Sequence, residues 1–254
     1  MAIPKDKALF DYAVRLADDQ LVLGHRLSEW CGRAPTLEEE LALANMGLDL
    51  IGQARSLYAH AGEVEGEGRD EDALAYLRSE REFTNMLLVE QPNDDFAHTM
   101  VRQLFHAAFM APYWEAMTGS ADATLSGIAG KAVKEARYHL RHSAEWIVRL
   151  GDGTQESHAR TRAALDHLWV FTGELFEMDE TALSLLGRGV AVDARALKPA
   201  WDSAVDETLA RAGLDRPAEI AMLSGGRTGR HSEHLGHLLA EMQYMQRAYP
   251  GMTW

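Results

Sequence analysis

The chain has 254 residues, 46% of them hydrophobic, which is enough for a large core and argues against disorder. Its formal net charge of −14 excludes a surface that as a whole neutralises nucleic-acid phosphates or docks on an anionic membrane. One cysteine, Cys31, excludes an internal disulfide and a thiolate zinc cluster.

The N-terminus, Met1-Ala-Ile-Pro-Lys-Asp-Lys7, passes into an amphipathic stretch without the apolar segment of a signal peptide. No uninterrupted apolar run long enough to span a membrane follows, so a cytoplasmic, untargeted protein is expected. From Lys7 to Cys31 the residues Leu9, Tyr12, Ala13, Leu16, Leu23, Leu27 and Trp30 recur at helical spacing, and Gly32 ends the run. Thr36 and Glu39 have the spacing of a capping box, which opens a second long helix to about Ala61 and predicts an antiparallel hairpin with the first. Gly62 to Asp70 is a Gly-rich acidic loop, and shorter helical pieces are expected from there to Glu90.

Asp94 or Asp95 is suited to cap a third helix through Met117, which Pro112 should kink or shorten. A fourth helix runs to Gly151, and Thr154 or Ser157 caps a fifth through Phe171. A sixth spans Asp193 to Ala212, with Pro199 tolerable only near its first turn, and a last one runs from Thr228 to Arg247. Between these two, Ser224-Gly-Gly-Arg-Thr-Gly229 has an anion-loop composition but follows no strand, so it reads as a helix connection. The expected fold is all-α: one ferritin-like domain over 1–254, with a four-helix bundle in about 7–150 and appended helices in about 154–248.

Chemistry is concentrated on the fourth helix. At about 100° per residue, Ala132, Glu135, His139, His142, Trp146 and Leu150 share one stripe, which places an acid and two imidazoles on the face expected to be buried. Four-helix di-metal proteins use two Glu-x-x-His pairs and two further carboxylates, because i, i+3 spacing sets both side chains against the same metals. No Glu in this chain has His at i+3. Glu135 is followed by Tyr138, and Asp49, the inward polar residue expected on the second helix, is followed by Gly52. Asp95 and His98 keep the spacing, but at a helix start, where Asp is more often a cap.

Asp49, Glu135, Tyr138, His139 and His142 are therefore expected as a buried polar network or the vestige of a metal site. Asp95 and His98 are weaker alternative ligands. Asp18, Asp19 and His25 on the first helix read as solvated. His231, His234 and His237 fan across a wide arc of the last helix and read as a solvated or interface face.

Several stretches carry a resemblance that covers about Leu9 to Trp254. They are Leu16-Ala-Asp-Asp-Gln-Leu-Val-Leu-Gly-His-Arg-Leu-Ser-Glu-Trp-Cys31, Leu43-Ala-Asn-Met-Gly-Leu-Asp-Leu-Ile-Gly-Gln-Ala-Arg55 and Lys134-Glu-Ala-Arg-Tyr-His-Leu-Arg-His142. Leu150-Gly-Asp-Gly-Thr154, Gly229-Arg-His-Ser-Glu-His-Leu-Gly236 and Met245-Gln-Arg-Ala-Tyr-Pro250 complete the set. Together they resemble the C-subunit family of the multicomponent ring-1,2-phenylacetyl-CoA epoxidases.

The resemblance implies a ferritin-like structural subunit of a multicomponent monooxygenase in aerobic phenylacetate breakdown. It implies no catalytic residue, metal or cofactor in this chain, a catalytic A subunit that holds the di-iron centre, and a reductase that supplies electrons from NADPH. Further expected partners are the remaining components of the complex and a second copy of this chain; Met110-Ala-Pro-Tyr-Trp114 and the His-rich last helix are candidate contacts with the A subunit or with that second copy. Core packing is the competing reading for those aromatics. Two other functions stay open: a di-iron oxygenase with a degenerate set built from Asp49, Asp95, His98, Glu135 and His139, and a free-standing helical adaptor.

Overall fold

A computed structural model describes residues 6–218 and 220–252. Residues 1–5 of the N-terminal segment considered for targeting, and the last two of the stretch that carries the resemblance, lie outside the described residues. Among the described residues there are eleven α-helices and no strand, as the helical periodicity predicts. In chain order they are α1 (Lys7–Ser28), α2 (Leu37–Glu65), α3 (Glu71–Tyr76), α4 (Leu87–Glu90), α5 (Phe96–Met117) and α6 (Ala123–Gly151). There follow α7 (Gln155–Leu168), α8 (Glu180–Gly187), α9 (Lys198–Arg211), α10 (Glu233–Met242) and α11 (Tyr244–Ala248). No helix among the described residues is long and apolar enough to cross a membrane.

The helix starts follow from side chains that satisfy orphan N–H groups. Asp6 accepts from Leu9 N at 3.1 Å, Asp70 from Ala73 N at 2.8 Å, Asp122 from Leu125 N at 2.9 Å and Asp179 from Ala182 N at 2.9 Å. Thr154 and Ser157 cap α7 reciprocally. Pro199 sits in the first turn of α9, where its missing N–H removes nothing. Pro112 does not shorten α5, which runs through it to Met117. The lost hydrogen bond there is offset by burial of the flanking Phe109, Met110, Tyr113 and Trp114. The Met110–Trp114 stretch is therefore core.

The chain divides into two compact units. The first comprises residues 1–33, 38–92 and 225–254, and the second 34–37 and 93–224. In the first unit α1 and α2 form the expected antiparallel hairpin. Gly24 and Gly47 let their backbones meet: a Cβ on Gly24 would lie 2.9 Å from Ile51 Cγ1 and 3.2 Å from the Gly47 oxygen. Tyr58, in the second half of α2, reaches Asp18 on α1. The segment of short helices from 71 to 91 covers α1. The closing helices, expected as appendages of a bundle, complete this unit: Gln243 Nε2 donates to the Ala75 and Arg78 oxygens at 3.1 and 3.0 Å.

In the second unit α5 packs against α6, α7 and α9. Its apolar residues surround the helix, which is the pattern of a central buried helix. Phe105, Trp169 and Trp201 stack with ring centroids 5.5 to 5.7 Å apart, and Trp201 Nε1 donates to the Phe105 oxygen at 2.9 Å. Gly151 lies so close to Ala212 that a Cβ would overlap it, which seats the end of α6 on the end of α9.

Candidate functional site

The buried stripe of α6 passes through Ala132, Ala136, His139, Ser143 and Ile147. It is offset by one position from the expected stripe along part of its length, with Ala136, Ser143 and Ile147 buried in place of Glu135, His142 and Trp146. His139 is buried, while Glu135 and His142 are half-buried on its flanks. Glu135 pairs with Lys131 at 3.4 Å. Tyr138, which stands where a di-metal helix would carry His, is 38% exposed with the Arg141 guanidinium 5.6 Å over its ring, so it does not belong to a buried network.

Asp49 is half-buried on α2, where the fully buried polar side chains are instead Glu39, Gln53, Tyr58, His60 and Glu65. Asp95 is the N-cap of α5: its Oδ1 accepts from His98 N at 2.8 Å, and its Oδ2 lies 3.6 Å from Arg160. Capping occupies the carboxylate that a ligand role would need.

The densest polar chemistry lies in the first unit, at two side chains expected to be solvated. Asp18 and Asp19 on α1 are fully buried. Asp18 accepts from Tyr58 OH at 2.5 Å, Thr84 N at 2.7 Å and Thr84 Oγ1 at 3.2 Å, and forms a two-pronged pair with Arg78. Asp19 accepts from Met86 N at 2.8 Å and is gripped by Arg227, Nη1 to Oδ1 at 3.1 Å and Nη2 to Oδ2 at 2.7 Å.

Arg78 also donates to the Leu74 and Glu82 oxygens and lies 4.2 Å over the Phe83 ring. Arg227 donates to the Thr84 oxygen at 2.8 Å. Glu90 accepts from Asn85 Nδ2 at 2.9 Å and Ser232 N at 2.6 Å, and lies 2.7 Å from His231 Nδ1. His231, expected on a solvated or interface face, instead has a side chain buried within this unit, against Glu90 of α4.

Electrostatics match this wiring. Burial pushes the Asp19 carboxyl up to about 6, against the opposing pull of Arg227 and the Met86 N–H. Burial, then the Asp18 charge, hold the Tyr58 phenol well above its usual range. Burial pulls Arg78 down, but the Asp18, Tyr58 and Glu82 charges and the hydrogen bond to Asp18 together reverse it, so the guanidinium stays ionised. Burial also pulls the His231 imidazole down, and the bonds to Glu90 and the Phe83 oxygen outweigh it, for a net upward shift.

The loop around Arg227 explains its glycines. Gly225 and Gly229 have φ of 139° and 72°, and a Cβ on Gly226 would overlap the Asn85 oxygen. The Gly-rich stretch is built to lay its backbone against residues 81–87 and insert one guanidinium beside Asp19. It holds an internal carboxylate, in the place of an external anion.

A di-iron centre needs carboxylate lone pairs directed at the metals. The paired carboxylates of α1 direct theirs at two guanidiniums, a phenol, a hydroxyl and two backbone N–H groups, so this donor set does not fit such a centre. The arrangement neutralises buried charge and ties a non-helical segment to a helix, and it offers no nucleophile, general base or open coordination position.

A different cluster in the second unit brings together Asp94, His98 and His167, with the three candidate donor atoms within 4.8 Å of one another. His98 sits in the first turn of α5, and His167 in the last turn of α7. Burial, then the Arg102 charge, hold the His98 imidazole down at about 4 despite Asp94 and Asp95, so it is neutral near pH 7. Sequence spacing exposed the Asp95/His98 pair, but the structure substitutes Asp94 for Asp95 and adds a histidine 69 residues away.

Residues 1–254 match the family described as Phenylacetic acid catabolic protein. The chain is 51% identical over 243 residues to the C subunit of the 1,2-phenylacetyl-CoA epoxidase of Escherichia coli (strain K12), with 96% of this chain and 98% of that protein covered.

Proposed function

The chain belongs to the phenylacetic acid catabolic protein family, whose fold is all-helical and ferritin-like, and we propose that it is a non-catalytic structural subunit of a phenylacetyl-CoA ring-1,2-epoxidase. In this reading it acts in the cytoplasm as one ferritin-like domain. It supports a catalytic A subunit that holds the di-iron centre and oxidises the substrate during aerobic phenylacetate breakdown. The observation that carries the reading is the commitment of Asp18 and Asp19 to Arg78 and Arg227: buried carboxylates are kept, but as internal ion pairs. The absence of any Glu-x-x-His pair from the sequence points the same way.

A rigid neighbour benefits a catalytic bundle whose ligands must stay within a fraction of an ångström. The network from Asp18 to His231 supplies that rigidity by tying α1 to residues 74–90 and 225–232. Leu41 and Leu48, 58% and 67% exposed and seven residues apart on one side of α2, offer apolar surface for a partner to cover. The acidic surface makes this chain a poor main binder of the polyanionic CoA moiety.

The test is to reconstitute the epoxidase with this chain carrying Asp49→Ala, Glu135→Ala and His139→Ala one at a time. Epoxidation is expected to persist in each assembled complex and to be lost when the chain is omitted. Loss of turnover in a fully assembled Glu135→Ala or His139→Ala complex would instead support a catalytic di-iron role.

A further inference from the structure

We propose that Asp94, His98 and His167 form a mononuclear site for a borderline divalent cation of the zinc or cobalt type, which joins the start of α5 to the end of α7. His98 Nε2 and His167 Nδ1 face one another at 2.9 Å, with ring centroids 5.1 Å apart and planes tilted by 37°. Asp94 Oδ2 is 3.6 Å from His98 Nε2, and all three donor atoms lie within 4.8 Å of one another. With metal–ligand bonds of about 2.0 to 2.2 Å, neighbouring donors of a tetrahedral zinc site are roughly 3.3 to 3.5 Å apart, between the two measured separations.

Helix packing sets this geometry. His98 is buried on α5, and α7 packs against α5, with His167 in its last turn reaching His98. Asp95 takes the capping role, while Asp94, the preceding residue, adopts φ 47° and presents an exposed carboxylate to the two imidazoles. Movement of the two exposed side chains, Asp94 and His167, adjusts the separations to that spacing. Two imidazole nitrogens and one carboxylate oxygen select a borderline transition-metal ion over magnesium or calcium, which take oxygen sets. The Arg102 charge opposes a cation here, and the Asp94 and Asp95 carboxylates offset it. Exposure of Asp94 and His167 leaves the remaining coordination positions to water, so the ion acts as a clip between helices.

The experiment titrates Zn²⁺ into the untagged, chelator-stripped full chain against a chromogenic chelator, and repeats it with Co²⁺ by visible absorption. One equivalent of Zn²⁺ is expected to bind and raise Tm. His167→Ala and Asp94→Asn should each weaken binding by about 10-fold or more, with helical circular dichroism unchanged. His237→Ala, at an exposed histidine of α10, should leave binding as it was. The Co²⁺ spectrum should show imidazole ligation that His167→Ala removes. Failure of the wild-type chain to bind Zn²⁺, or binding that survives both His167→Ala and Asp94→Asn, overturns the proposal and leaves a metal-free histidine pair. Neither result bears on iron in the epoxidase, which is measured separately.

Discussion

Arg227→Met keeps the length of the side chain but strips Asp19 of its counter-charge. Asp19 is fully buried, and the rise of its pKa from 3.8 to about 6 corresponds to about 3 kcal/mol by the usual conversion of about 1.4 kcal/mol per unit. The sign follows from linkage. A carboxyl whose folded-state pKa lies above its unfolded value favours the folded state fully below pH 3.8, and that contribution is lost as pH rises through about 6.

Without Arg227 the folded-state pKa rises further, so the deficit of the variant grows above pH 6, where the wild-type carboxylate is ionised and paired. Breaking one partner of a buried ion pair costs about 3 to 5 kcal/mol. For a chain of this size that is a fall in Tm of roughly 6 to 20 °C. Urea denaturation of both proteins at pH 5 and pH 8 reads the difference directly. The deficit at pH 8 should exceed that at pH 5, and Asp19→Asn combined with Arg227→Met should recover much of it. A deficit under about 1 kcal/mol at pH 8, or one equal at both pH values, would refute the electrostatic account.

Further outcomes follow from neighbouring parts of the network and from the surface. Gly226→Ala forces a methyl group into the Asn85 oxygen, and should cost about 1 to 3 kcal/mol in denaturant titration, by displacing the loop that carries Arg227; a neutral result would contradict the close approach. Tyr58→Phe removes the hydroxyl donor to Asp18 and should cost about 1.5 to 3 kcal/mol by the same method. His231 has a raised pKa, so its stabilisation is fully present below pH 6.5 and lost as pH rises through the raised value. The stability gap between wild type and His231→Gln should therefore narrow with increasing pH, and a widening gap would count against the Glu90 pairing. Leu48→Glu should leave stability within about 0.5 kcal/mol, since the side chain is solvated in the free chain, yet weaken co-purification with the catalytic partner; unchanged co-purification would remove this face from the interface.

The helices were legible because each rule that marks them is local. Asp95 and Thr154, each three residues before a recipient N–H, mark the starts of α5 and α7, and Pro199 falls where a first-turn proline belongs. α8, a two-turn helix, is too short for periodicity to register. Pro112 does not end its helix because its local cost is outweighed by burial on both sides, which no local rule contains. The buried stripe of α6 lies one position from the expected one over part of its length, because the small or apolar Ala136, Ser143 and Ile147 are buried in preference to Glu135, His142 and Trp146.

The buried charges had no local signature at all. Asp18 meets partners 40, 60 and 66 residues away, and Asp19 meets Arg227 across 208 residues. A pair of aspartates on a helix looks solvated until the covering segment is known. The glycines of 225–229 held the available clue, since close backbone approach is what glycine permits, but their target could be found only in three dimensions.

If this chain lends structure to an oxygenase, as proposed, the iron lies in its partner. The most direct measurement is to co-express it with its catalytic partner, separate the two chains without chelators, and count iron in each by elemental analysis. The account predicts a di-iron complement on the partner and no stoichiometric iron on this chain, whatever zinc its histidine pair takes up. Two irons per copy of this chain would contradict it.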